Sequence, residues 1–105
     1  MSEKFIFQTG KISKINLSGK LDAVNAPLLM EELKSLIGQD VDKIVFYAKD
    51  LEYISSAGLR TIIFAKQKIG TETSIYFIEA QESVTDVITM SGLDNFLYIQ
   101  DSFDE

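Results

Sequence analysis

Hydrophobic residues come in short blocks along this chain, and the spacing within each block separates strands from helices. Phe5-Ile6-Phe7 and the segment Ile12 to Leu17 read as two strands joined through Thr9-Gly10, a hairpin signal. In the second, Ile15 and Leu17 alternate with Lys14, Asn16 and Ser18, so one face is expected inside and the other in water. The pattern breaks at Gly19. Ala26, Leu29, Met30, Leu33, Leu36 and Ile37 then fall on one helical stripe, with Glu31, Glu32, Lys34 and Ser35 on the other side. Asn25 or Asp22 caps this helix, Pro27 fits its first turn, and Gly38 ends it.

Val41 to Ala48 reads as the central strand, and the unbroken Ile44-Val45-Phe46 suits a strand covered on both faces by helices. A second helix is expected over Ala57 to Lys68. Its stripe is Leu59, Ile62, Ile63 and Ile69, with Lys66 at the edge and Gly70 as the stop. Phe64 points away from that stripe, either partly exposed or packed by a neighbouring element. Thr73 to Glu79 is a further strand. Ser83-Val84-Thr85-Asp86 resembles a capping box for a short helix with Val84, Val87 and Ile88 inside, ended at Gly92-Leu93. Phe96-Leu97-Tyr98-Ile99 would be the last strand. The order β-β-α-β-α-β-α-β predicts an α/β fold: one domain, 1–105, with a mixed, mainly parallel β-sheet, an N-terminal hairpin and about three helices. Residues 101–105 read as a flexible acidic tail.

Between the central strand and the second helix lies Asp50-Leu51-Glu52-Tyr53-Ile54-Ser55-Ser56-Ala57-Gly58-Leu59-Arg60. Ser55 and Ser56 fall where a loop becomes a helix. A hydroxyl there can accept a hydrogen bond from a free N–H of the first turn. The same position tolerates a phosphate, because the free N–H groups and the helix dipole favour negative charge. The residues alone leave both readings of Ser56 open, helix cap or switch.

Composition narrows the chemistry. The chain is 46% hydrophobic and 25% charged, which suits a folded domain and argues against disorder. Sixteen acids against ten bases give a net charge of -6, and Arg60 is the sole arginine. Direct binding to nucleic acid is therefore disfavoured, since phosphates call for clustered cations. There is no cysteine and no histidine, which removes the common nucleophile–base pairs and zinc ligands. No Gly-x-Ser-x-Gly elbow or phosphate-cradling glycine loop is present, so no catalysis, metal or cofactor is expected. No apolar run reaches the ~18 residues of a membrane span. A cytoplasmic protein without membrane insertion is the simplest expectation.

Leu17-Ser18-Gly19-Lys20-Leu21-Asp22, followed by Ala26, and Leu51 through Arg60 together resemble the STAS family, and within it the bacterial anti-sigma-factor antagonists. Element order and length agree over nearly the whole chain. The resemblance implies a protein-binding module that, when unphosphorylated, sequesters a serine-kinase-type anti-sigma factor or switch kinase. It implies that the kinase phosphorylates one serine and that a metal-dependent serine phosphatase reverses this. Anchored on Gly58-Leu59, the target position is Ser56, with Ser55 the weaker candidate. The family carries Asp immediately before the target serine, where this chain has Ser55. The implied contact surface comprises Asp22, Ser55, Ser56, Ala57, Gly58, Leu59 and Arg60. STAS domains also serve as subunits of membrane transport systems, including lipid-transporting ABC complexes, so constitutive docking without a phosphoswitch is the alternative.

The residues admit plainer roles as well. Asp22 is equally a turn or cap residue, and Gly58 is either a close-approach glycine or merely small. Asp50 and Glu52 read as a solvated face, and Tyr47, Tyr53, Tyr76 and Tyr98 as packing residues.

Overall fold

The computed structural model describes residues 5–104; Glu105, the end of the expected acidic tail, lies outside them. The chain runs β1 (Ile6–Gln8), β2 (Ile12–Leu21), α1 (Ala26–Lys34), β3 (Lys43–Ile54), α2 (Ser56–Lys68), β4 (Ser74–Ile78), α3 (Glu82–Met90), a 3-10 turn (Leu93–Phe96) and β5 (Tyr98–Gln100). The strands form a single sheet in the order β1-β2-β3-β4-β5, with β1 antiparallel to β2 and every other pair parallel. This is the expected mixed sheet, with β3 in the middle.

Buried apolar residues of all three helices join one core with Ile15, Leu17, Ile44, Phe46, Ile75 and Phe77. The register places Ile15 beside Phe46, Phe46 beside Phe77 and Ile44 beside Ile75, so these residues share a face of the sheet. Val45 points the other way, between Lys14 and Tyr76, and stands outside that core although it is fully buried. The expectation of helices over both faces is corrected here. Aromatic rings cover the second face: Tyr47 lies 5.8 Å from Phe7, and Tyr76 lies 4.9 Å from Tyr98 and 5.1 Å from Phe103. A sequence run without alternation records burial on both sides, whatever the covering groups are.

Two strands outrun their expected ends, and both extensions build the site. β3 continues past Ala48 to Ile54, with Ala48, Leu51 and Ile54 buried and polar residues between them. That spacing of three arises because the β2–β3 register slips twice, from Asn16–Tyr47 to Ser18–Asp50 and from Gly19–Leu51 to Lys20–Tyr53. Each slip leaves an extra residue on β3, which converts alternation into a pattern that reads as loop. β2, expected to break at Gly19, passes through it with φ +68, a left-handed conformation that suits glycine, and pairs again at Lys20 and Leu21.

Elsewhere the departures are local. The buried stripe of α2 is Gly58, Thr61, Ile62 and Ala65, with Leu59, Phe64 and Ile69 half-buried against the core and Ile63 exposed. Glu32, expected on the wet side of α1, instead accepts the backbone N–H groups of Phe5 (2.9 Å) and Ile6 (2.9 Å). The capping box of α3 does not form: Gln81 occupies the cap position, and Ser83 donates its hydroxyl hydrogen to the Glu52 carbonyl. Gly92 takes the expected left-handed conformation. Phe96 belongs to the 3-10 turn, and β5 starts only at Tyr98.

Candidate functional site

The site lies where the carboxyl ends of β2 and β3 meet the start of α2. Ser55, extended at φ -95 and ψ 176, is the single residue between β3 and α2. Its backbone N–H and its hydroxyl both donate to the Leu21 carbonyl, at 3.0 and 3.2 Å. Its Oγ also accepts the Gly58 N–H at 3.3 Å, and its carbonyl accepts the Leu59 N–H at 2.9 Å. Ser55 is thus the helix cap and simultaneously the bolt between two strand ends.

Gly58 completes this junction. A Cβ there would stand 2.7 Å from the Leu21 carbonyl oxygen and 2.7 Å from Ile54 Cγ1. Of its two sequence readings, close approach is the one realised, and the partner in that approach is this chain's own backbone.

Ser56 is different in kind. Helix α2 begins on it, one residue earlier than expected, and its side chain is exposed. Among the described residues its hydroxyl has no hydrogen-bond partner. The reading of Ser56 as a plain cap is therefore corrected, because Ser55 performs that role. Arg60 follows one turn later on the same side of α2, also exposed and without an ion pair or hydrogen bond among the described residues.

Asp22 directly follows Leu21. Its Oδ1 accepts the N–H groups of Val24 and Asn25, each at 3.0 Å. The Asn25 N–H is the main cause that holds the carboxyl below the usual carboxylate range, with help from Val24 and against a desolvation penalty. Asn25 occupies the cap position of α1, yet its side chain donates to the Lys20 carbonyl instead of capping. Ala57 and Leu59 are half-buried against the core, so the residues presented outward on this turn of α2 are Ser56 and Arg60; Asp22, next in sequence to Leu21, is half-exposed.

The structure adds one feature that the sequence did not reveal. A groove of about 460 Å³ runs beside α2, lined by Ser56, Leu59, Arg60, Ile63, Phe96 and Leu97 among others. The sequence pattern puts Ile63 in the buried stripe and Phe96 in a strand; the 3-10 turn, which places Phe96 opposite α2, has too little periodicity to be read from sequence.

Comparison with known proteins agrees with this architecture. The STAS domain family model matches residues 6–105. A Bordetella bronchiseptica protein named as an anti-sigma factor antagonist, BtrV, is 32% identical over 77 residues, which cover 72% of this chain and 66% of that relative. Among solved structures, an anti-sigma factor antagonist from Mycobacterium paratuberculosis superposes with a TM-score of 0.81 at 22% identity, covering 94% of this chain and 85% of that one. The unphosphorylated form of SpoIIAA gives 0.74 at 15% identity over 95% of this chain and 88% of that one. Phosphorylated SpoIIAA from Bacillus gives 0.69 at 17% identity over 91% and 88%. At these identities the structural likenesses establish the fold, and the family match covers nearly the whole length: the chain belongs to the STAS domain family.

Proposed function

We propose that this protein is a non-catalytic, cytoplasmic anti-sigma-factor antagonist controlled by phosphorylation of Ser56. Unmodified, it sequesters a serine-kinase-type anti-sigma factor or switch kinase; a metal-dependent serine phosphatase restores it after phosphorylation. The observation that carries this reading is the division of labour between two adjacent serines. Ser55 holds the helix cap, which leaves the Ser56 hydroxyl exposed and, among the described residues, unpaired. BtrV is named as an anti-sigma factor antagonist, and SpoIIAA is known in unphosphorylated and phosphorylated forms, which supports the same assignment here.

Phosphate on Ser56 adds about -1.5 to -2 charges to an exposed surface at a helix start, where the fold tolerates them. A partner that receives the neutral hydroxyl in a close interface meets a desolvated dianion instead, and a penalty of a few kcal/mol weakens binding by roughly a hundredfold. The Ser55 that replaces the family's Asp is itself a good cap, so the geometry at Ser56 survives that replacement.

The test is a pull-down from native lysate with the wild-type chain, Ser56→Ala and Ser56→Asp, read by mass spectrometry. A kinase-fold partner held by the Ala variant and lost by the Asp variant is the expected result. A partner held equally by all three, in particular a transporter component, would make the protein a constitutive docking subunit.

A further inference from the structure

The groove beside α2 is lined by a stripe at helical spacing, Ser56, Leu59, Arg60, Ile63, Lys66 and Gln67, which spans about three turns or ~16 Å. Its opposite wall is the segment after α3, from Ser91 through Leu93 to Phe96 and Leu97. Two properties of the groove bear on what it can receive. First, large apolar side chains stay in water on both walls, Ile63 at 38% and Phe96 at 60% exposure. Second, the charged residues that line it are Arg60 and Lys66, both cationic, in a chain of net charge -6. Arg60 has no counter-ion among the described residues, and Lys66 is held in place by donating to the Thr73 carbonyl at 2.7 Å.

We infer that this groove receives an acidic amphipathic helix of the same partner that contacts Ser56, an inference that rests on the proposed function. Apolar side chains of that helix at i, i+3 or i+4, and i+7 fill the trough between Ile63 and Phe96, and its carboxylates meet Arg60 and Lys66. The shape favours a helix over a lipid chain, because small-ligand sites enclose most of their occupant and this trough leaves its walls wet. The charge disfavours a second copy, since two chains of net charge -6 repel. Ser56 stands at one end of the groove, so a phosphate there lies in the path of the acidic helix. The same modification thus acts on the contact at Ser56 and on the groove.

The experiment places a photo-reactive benzoylphenylalanine at Ile63, at Phe96 or, for reference, at Val24, which is 74% exposed in the loop after Asp22. Each full-length variant, carrying Ser56→Ala, is irradiated in native lysate and the cross-linked peptides are sequenced. The inference expects positions 63 and 96 to mark one acidic amphipathic helix of the kinase-fold protein that position 24 also captures. It further expects Arg60→Glu to weaken binding of that purified protein at least tenfold, while Arg60→Lys weakens it less. Capture from position 24 alone, or cross-links at 63 and 96 to a basic segment, a lipid or another copy of this chain, overturns the groove and leaves the Ser56 reading standing. Capture of no kinase-fold protein from any position overturns both.

Discussion

The Leu21 carbonyl accepts two hydrogen bonds from Ser55, one from the backbone N–H at 3.0 Å and one from the hydroxyl at 3.2 Å. This double contact fixes the end of β2, where Asp22 follows, against the start of α2, where Ser56 follows. It also consumes the hydroxyl of one serine and frees that of its neighbour.

Unequal costs for the two serines follow from that contact. Ser55→Ala removes a cap and is expected to destabilise the domain by about 1–2 kcal/mol in urea denaturation. Ser56→Ala, which removes no hydrogen bond among the described residues, should stay within about 0.5 kcal/mol of wild type. Ser55→Asp should fall between wild type and Ser55→Ala, since a carboxylate can accept the Gly58 N–H as a cap but cannot donate to the Leu21 carbonyl. The reverse order would mean that the cap has been misassigned.

Gly58→Ala tests the close approach. Helix propensity alone would make alanine stabilising by about 1 kcal/mol. The contacts of 2.7 Å with the Leu21 oxygen and Ile54 Cγ1 predict the opposite sign, a loss of about 1–3 kcal/mol, together with shifted amide resonances at Leu21, Ser55 and Ser56. A more stable variant would contradict the packing described.

Glu32 ties α1 to the sheet edge through the N–H groups of Phe5 and Ile6. Glu32→Ala should cost about 1.5–3 kcal/mol, as expected for hydrogen bonds to a charged acceptor. Amide exchange at Phe5 and Ile6 should accelerate selectively. Uniform acceleration across the domain would assign the loss to general destabilisation.

Asp22 gives the loop a pH dependence. Its folded-state pKa is depressed, mainly by the Asn25 N–H, so the stabilisation it supplies is present above the unfolded value and is lost as pH falls through the folded one. Below about pH 4 the turn at Val24 and Asn25 should loosen, visible as faster amide exchange at those two residues. Asp22→Asn should remove the dependence on pH from that exchange. An unchanged acid limb in the variant would assign it to another carboxylate.

How far the sequence could be read depended on whether a physical constraint was local. The hairpin and the α1 stripe from Ala26 to Leu33 were legible from local spacing, and the parallel order from the alternation of strands and helices along the chain. The far half of β3 was hidden because its two register slips space Ala48, Leu51 and Ile54 three apart, a pattern that depends on the partner strand. The cap at Ser55 was ambiguous with Ser56 for a similar reason. Its choice is settled by the Leu21 carbonyl, which lies 34 residues away in sequence. Phe96 and Ile63 looked like core residues because they are apolar, and only the fold leaves them facing each other across an open groove.

The most direct measurement uses the purified kinase-fold partner and ATP, with the modified residue mapped by fragmentation and both forms of the antagonist assayed for binding and thermal stability. The account predicts phosphate on Ser56 and none on Ser55, an essentially unchanged unfolding temperature and at least a hundredfold weaker binding. Phosphate on Ser55, or undiminished binding by the Ser56-phosphorylated protein, would contradict it.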